Sequence, residues 1–301
     1  MPRLLFVTLS NIGDLVMTTP ALVALHEAWP EARIDIVADA RSSELLRRAP
    51  FLGDLVHRVK RDGKLGMLRM IRGLRHERYE AIVDLRTDFL PWLLRARRRS
   101  ARWQAHAQGP HAVEQHFAVA ARVLPTPSPI PDARVWFDDS DRARASAMLA
   151  ALPGTRRLAL APGANWPGKI WPAAHYVAVA NLLRETLDSI VLLGNAPDAA
   201  GGERMQQALQ LPTLNLMGRT SLIDAAAVLA CCEVFVGNDS GLGHLAAACG
   251  IATVTVFGPG RPERYRPWGS RASLVMAPGL DLDKLAPETV AAHVLERMPP
   301  R

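Results

Sequence analysis

The amino-acid sequence predicts an α/β protein made of two tandem, Rossmann-like, doubly wound parallel-sheet domains. Three observations predict it. Short apolar runs alternate with helix-period runs along nearly the whole chain. A proline-rich break interrupts the alternation, and the pattern restarts after it. The length of 301 residues suits two domains at roughly 100–200 residues each.

In order along the chain, residues 4–9, 34–38 and 81–85 read as buried strands. Residues 21–29, 43–49, 64–75 and 112–124 read as helices. The apolar runs are short, partly β-branched and flanked by turn residues, which suits a parallel sheet covered on both faces. Residues 125–131 then hold four prolines in seven positions. Such a run is neither helix nor central strand, so a stiff extended linker is expected over 125–133. A short segment at 134–137 and a helix at 141–152 complete the first domain, placed at 1–152. In the second domain, 153–285, strands are expected at 158–161, 190–193, 214–217, 234–237 and 253–257. Helices are expected at 173–186, 203–211, 222–232 and 243–249. A last helix, 287–298, opens with Pro287 in its first turn. In doubly wound sheets, ligands bind outside the carboxyl ends of the strands, so a cleft between the two domains is expected.

Composition narrows the function classes. Apolar residues make up 49% and charged residues 22%, which argues against disorder. No run approaches the 18 apolar residues of a membrane span. The first apolar run reads as a strand and not a signal peptide, so a cytoplasmic location is expected. Cys231, Cys232 and Cys249 lack metal-ligand spacing and end Ala-rich helical patterns, so they read as small core residues. The net charge is +7. Residues 53–102 hold 14 Lys/Arg against 6 Asp/Glu, and the rest of the chain is close to neutral. Nucleic acid, anionic lipid or a phosphorylated substrate would each suit that stretch. Neither a zinc-finger spacing nor an RNP-like aromatic motif is present, which disfavours nucleic acid.

Five segments carry the candidate chemistry. Ser10-Asn11-Ile12-Gly13-Asp14 follows the first strand. It lacks the glycines of a dinucleotide fingerprint. By itself, Asp14 reads first as a helix cap. Residues 161–172, with Gly163, Gly168 and Lys169, form a strand-to-helix loop. There a lysine offers a point charge to phosphate, or is simply exposed. Residues 237–248 place Asp239, Ser240, Gly241, Leu242, Gly243 and His244 at a helix start, where unpaired N–H groups attract phosphate. A hydrolytic triad is disfavoured because Asp239, Ser240 and His244 share one short turn. Residues 257–265 form a loop with two glycines and two arginines. Lastly, Arg69, Arg72, Arg75 and Arg78 are spaced by three on one helix face, with Lys60, Arg61, Lys64 and the run 97–99 nearby. That face is either solvated or turned to a phosphate-rich partner.

Four of these stretches occur in an order that resembles the family 9 glycosyltransferases, typified by the ADP-heptose:lipopolysaccharide heptosyltransferases. They are S-N-I-G-D-L-V-M-T-T-P at 10–20, P-G-A-N-W-P-G-K-I-W-P at 162–172, G-N-D-S-G-L-G-H-L-A-A-A at 237–248 and F-G-P-G-R-P-E at 257–263. The resemblance implies a GT-B fold, with the acceptor on the N-terminal domain and the donor on the C-terminal one. It implies that residues 286–301 cross back to the first domain. It also implies inverting, metal-independent heptose transfer from an ADP-sugar to a lipopolysaccharide core acceptor. No cofactor or metal is expected beyond that donor.

The resemblance assigns roles as well. Asp14 is implied as general base and Lys169 as the lysine near the diphosphate. The turn from Asp239 through His244 is implied to hold the donor, with Thr220 and Ser221 beside the base and Glu203 a weaker candidate for the ribose. Lys60, Arg61, Lys64, Arg69 and Arg72 are implied to meet a phosphorylated glycolipid at the inner face of the inner membrane. Two alternatives stay open: a transferase or epimerase using another nucleotide sugar, and a non-catalytic nucleotide-sugar-binding module.

Overall fold

A computed structural model describes residues 1–57 and 63–298. The chain forms two compact units, Met1–Trp136 and Phe137–Arg301. In the first unit, β1 (Arg3–Val7) leads through α1 (Ile12–Val16) and α2 (Thr19–Ala28) to β2 (Arg33–Ala38). β3 (Leu52–His57), α3 (Gly63–Leu74), β4 (Arg78–Asp84), α4 (Leu90–Leu93), β5 (Arg95–Ala101) and α5 (Ala112–Ala121) follow. The sheet has the order β3-β2-β1-β4-β5, and its ladders are parallel. Leu5, Val7, Val37 and Ile82 on one sheet face are covered by Ile71 and Leu74 of α3 and by Leu90 and Leu94 at α4. The helix period explains the α3 contact, since Met67, Met70, Ile71 and Leu74 share one face.

The second unit comprises α6 (Asp139–Leu149), β6 (Arg157–Ala161), α7 (Ala173–Leu182), β7 (Ser189–Leu192), α8 (Ala199–Ala208), β8 (Thr213–Asn215) and α9 (Leu222–Leu229). It continues with β9 (Val234–Asn238), α10 (Gly241–Ala248), β10 (Ala252–Phe257), α11 (Pro262–Tyr265), β11 (Ala272–Met276) and α12 (Pro287–Arg297). Its sheet has the order β11-β10-β9-β6-β7-β8 and is again parallel. Leu158, Leu160, Val234, Val236, Val254 and Val256 form its core with Val179, Val290 and Val294.

Several expectations need correction. The division falls after Trp136 and not after Leu152, because α6 packs on α9 of the second unit. There Arg144 bridges Asp141 and Asp224 at 2.5 and 2.9 Å. Within the second unit, α12 packs on α7, β9 and β10 and adds Val290 and Val294 to the core. The helix expected at 43–49 is only a 3₁₀ turn, Ser43–Leu46. α3 ends at Leu74 and Arg78 opens β4, so Arg78 leaves the expected arginine stripe. The Arg97–Arg99 run lies in edge strand β5. Of the cysteines, Cys232 is buried as expected of a core residue, and burial pushes its thiol up to about 12, while Cys231 and Cys249 are half-buried. No helix among the described residues is long and apolar enough to cross a membrane.

Candidate functional site

Each sheet reverses its winding once. In the first unit the reversal lies between β1 and β4, and in the second between β6 and β9. Open α/β sheets bind ligands outside the carboxyl ends of the strands at such points. The loops after β1, β6 and β9 carry Asp14, Lys169 and Asp239.

In the first unit, Asp14 stands half-buried in the first turn of α1. It is not the cap. Asn11 holds the N-cap position, makes no side-chain cap and instead donates from Nδ2 to Asp14 Oδ2 at 2.9 Å. Two buried bonds shape the turn that presents Asp14. Thr8 and Thr18 hydroxyls meet at 2.8 Å, and Thr18 also donates to Leu15 O at 2.7 Å. Ser42 Oγ donates to Ser10 O at 3.0 Å and ties the next loop to this one.

Other polar groups at this sheet end escaped the sequence reading. Asp84, fully buried at the end of β4, accepts from the backbone N–H groups of Arg86 and Thr87 at 2.8 and 2.7 Å. Asp39 follows β2, and the Arg41 guanidinium holds its carboxyl below the usual range. Ser43 Oγ lies 2.9 Å from His57 Nε2. Aspartates placed directly after apolar strands were the available signal for Asp39 and Asp84.

The second unit brings Lys169 and Asp239 together: Nζ and Oδ2 are 2.5 Å apart. Asn238, fully buried at the end of β9, sets this geometry. Its Oδ1 accepts from Trp171 N at 3.0 Å and Tyr176 Oη at 2.7 Å, and its Nδ2 donates to Pro162 O at 2.5 Å. One side chain thus clamps both ends of the loop that carries Lys169. Trp171 is fully buried, donates from its indole to Leu285 O at 3.1 Å and stacks edge-on with Tyr176 at 4.9 Å.

Beside the pair, α10 begins with Ser240 at the N-cap in extended conformation, yet its side chain makes no cap. Ser240 Oγ is buried without a hydrogen-bond partner among the described residues. The first-turn amides at Gly241, Leu242 and Gly243 therefore have no side-chain acceptor from the cap. They carry about half a positive charge, the arrangement that holds phosphate. At Gly243 a β-carbon would come 3.2 Å from Thr255 Oγ1, so the glycine lets the helix start lie close on β10. His244 is buried in the first turn, at 6% exposure.

The remaining expected residues are spread more widely. Ser221 caps α9: its hydroxyl accepts from Asp224 N at 3.1 Å and donates to Asp224 Oδ2 at 2.8 Å. Thr220 precedes it, half-buried. Glu203 is exposed on α8, and its side chain makes no bond to another described residue. Besides Asp239, Asp198 also reaches the loop that carries Lys169: a β-carbon on Gly163 would lie 2.6 Å from its Oδ2. Asp198 also accepts from Asn195 N at 2.8 Å. Its position after β7 was the signal that could have found it. Arg261 and Arg264 are held locally, by Glu263 at 3.3 Å and by the Tyr265 hydroxyl at 2.8 Å. Lys60 and Arg61 lie outside the described residues, and Lys64 is placed only by its backbone in α3. Arg69 and Arg72 are exposed on α3.

Comparison with known proteins agrees with this layout. The model of glycosyltransferase family 9 (heptosyltransferase) matches residues 67–284. The lipooligosaccharide heptosyltransferase 2 of Haemophilus influenzae is 28% identical, over 91% of this chain and 88% of the relative. The lipopolysaccharide heptosyltransferase 2 of Escherichia coli K12 is 27% identical, over 91% of this chain and 87% of the relative. Among solved structures, the E. coli ADP-heptose lipopolysaccharide heptosyltransferase II has a TM-score of 0.80 at 24% identity, with 98% of both chains covered. A family 9 glycosyltransferase from Veillonella parvula has a TM-score of 0.85 at 20% identity, covering 98% of this chain and 97% of that one. The fold is thus of the GT-B type that the sequence motifs implied. With the family model matching well over half of its length, the chain belongs to glycosyltransferase family 9, the heptosyltransferases.

Proposed function

We propose that this enzyme moves a heptose from ADP-heptose to a lipopolysaccharide core acceptor by an inverting displacement that needs no metal. The observation that carries the reading is the Lys169–Asp239 pair beside the uncapped start of α10, at the switch point of the second sheet. A diphosphate placed there meets a lysine charge and preorganised amides, which stabilise the leaving group as charge builds on it. These groups supply the positive charge that a metal provides in other transferases. Relatives by name act on lipopolysaccharide or lipooligosaccharide, and one E. coli heptosyltransferase was solved with ADP.

In the proposed reaction an acceptor hydroxyl attacks the anomeric carbon on the face opposite the diphosphate. The new C–O bond forms as the bond from that carbon to the phosphate oxygen breaks. ADP leaves, and the hydroxyl proton passes to the Asp14 carboxylate. Asn11, donating to Asp14 Oδ2, orients that carboxylate. Asp239 and His244 face the donor sugar or its phosphates, and Asp198, closer to the Lys169 loop than Glu203, takes the ribose hydroxyls.

The acceptor is a phosphorylated glycolipid, and the arginine-rich first unit works at the cytoplasmic surface of a membrane. An anionic surface attracts such a stretch by about 1 kcal/mol per Lys or Arg. Calorimetry tests the donor: ADP should bind at least tenfold more tightly than UDP or GDP. Equal binding of all three would remove the ADP-sugar assignment.

A further inference from the structure

We propose, resting on the membrane reading above, that the carboxyl-end rim of the first unit's sheet inserts into an anionic bilayer. The inserted tip is formed by Leu65, Leu68, Phe89, Trp92 and Trp103. All five side chains are exposed, Leu65 to 73% and Trp103 to 65%. The topology brings them to one side. α3 follows β3 and leads back to the start of β4, so its first turns stand at the carboxyl end of the sheet, the end that also carries Asp14. α3 and α4 cover the same sheet face, through Ile71 and Leu74 and through Leu90 and Leu94. Arg75 Nε, just past α3, donates to Leu93 O at 2.8 Å, so the two helices are neighbours. Phe89 comes between the end of β4 and α4. Trp103 follows the end of β5, and its ring lies 5.5 Å from that of Trp92.

The pattern on α3 selects a bilayer. Met67, Met70, Ile71 and Leu74 turn toward the sheet, and Leu65, Leu68, Arg69 and Arg72 turn outward at the same helical spacing. Packing within the unit gives no reason for leucine on that outer face. The face is ordered by depth: the leucines come first, at the carboxyl end, and Arg72 lies behind Leu65 by about 10 Å at the rise of a helix. Segments that lie in a bilayer surface bury their apolar side chains about 5–10 Å into the headgroup boundary. Arginines set behind such a tip reach the phosphates while their stems lie along apolar surface. Tryptophan belongs to the same interfacial layer. The stretch 53–102, which holds four of the five tip residues and ends beside Trp103, carries 14 Lys/Arg against 6 Asp/Glu. An anionic surface is its complement. A single sugar ring would cover the tryptophan pair and leave Leu65 and Leu68 in water, whereas a bilayer covers the whole tip. Insertion turns the Asp14 end of this unit toward the layer that holds a glycolipid acceptor.

The full-length protein is floated with vesicles of phosphatidylcholine mixed with phosphatidylglycerol, the phosphatidylcholine carrying bromine near the top of its acyl chains. Bromine quenches indoles that enter that layer. The parent should float and its tryptophan fluorescence should fall. The Trp92→Phe, Trp103→Phe variant keeps the apolar tip, so it should float like the parent and lose most of the quenching. The Leu65→Ser, Trp103→Ser variant, with a melting temperature matched to the parent, should bind about a hundredfold more weakly, about tenfold for each large apolar side chain no longer buried. Part of the parent's binding should survive about 1 M salt, where charges are screened beyond about 3 Å. Flotation without quenching, or complete release by salt, would overturn insertion and leave the charge-driven membrane reading standing. A parent that does not float at all would overturn both. Two further outcomes would give the tip another occupant and overturn the proposal. One is a Leu65→Ser, Trp103→Ser variant that floats like the parent but transfers poorly to a soluble, deacylated acceptor, which would make the tip a sugar platform. The other is a parent dimer that the same substitutions split, which would make it a contact between copies of this chain. Absent transfer in the parent would defeat the transferase reading and leave the vesicle result intact.

Discussion

Lys169 Nζ lies 2.5 Å from Asp239 Oδ2, although the two residues come from loops after strands separated by two others in the chain. The pair exists because β6 and β9 are neighbours at the point where the sheet reverses. Each charge satisfies the other. An arriving diphosphate competes with Asp239 for the lysine. Lys169→Met should therefore lower kcat by about 10²- to 10³-fold, the cost of removing one preorganised donor. Asp239→Asn should leave ADP affinity unchanged or improve it while transfer falls. Weaker ADP binding by Asp239→Asn, measured by calorimetry, would show that the carboxylate does not compete.

Asp14→Asn should retain donor affinity within about twofold and lose transfer by about 10²- to 10⁴-fold, the usual contribution of a general base. Asn11→Ala removes the hydrogen bond that orients Asp14 and should cost less, as a fall in kcat with little change in donor KM. Steady-state kinetics with each variant distinguishes these outcomes from unfolding, provided the melting temperatures are matched.

Asn238→Ala should destabilise the second unit by about 3 kcal/mol or more. The change orphans Trp171 N, Tyr176 Oη and Pro162 O, and each buried polar group left unpaired costs about 1–3 kcal/mol. A urea midpoint unchanged from the parent would contradict the clamp.

Cysteine chemistry gives a pH prediction. Burial pushes the Cys232 thiol up to about 12, above the roughly 8.5 of a free thiol. The thiolate is the reactive form, so Cys232 should resist alkylation at pH 8.5 in the folded protein and react once urea is added. The stability effect has a definite sign. A group with a raised folded-state pKa contributes fully below the unfolded value and loses that contribution as pH climbs toward the folded one. Above the unfolded-state value, stability should therefore fall through this residue as pH rises. Cys232→Ala should flatten that slope, as read from denaturation curves at pH 8 and pH 10.

How much could be read in advance follows burial. The central strands β1, β2, β4, β6, β7, β9 and β10 are buried apolar runs, and their positions were legible to within a few residues. Of the edge strands, β8 was expected, and β3, β5 and β11 were not. β5 is four arginines among seven residues, and β3 contains Gly53 and Asp54. An edge strand is half solvated, so its pattern lacks the apolar run that marks a central one. The loops at strand ends were legible because glycine, proline and aspartate punctuate them. Their tertiary partners were not. Nothing local to Asn238 shows that it will hold Trp171 and Pro162, and nothing local to Asp198 shows that it will lie over Gly163. Asp14 was ambiguous for a local reason: a carboxylate one strand-end turn from a helix start serves as cap or as base. Asn11 in the cap position leaves Asp14 available for chemistry.

The most direct test is the configuration of the new bond. The protein is incubated with ADP-heptose of known anomeric configuration and a deacylated core acceptor, in the presence of a chelator, and the product is read by NMR. Inverted anomeric configuration, one ADP released per bond formed, and no product from Asp14→Asn are expected. A product that retains the donor's configuration, or a reaction that stops when the chelator is added, would contradict the mechanism.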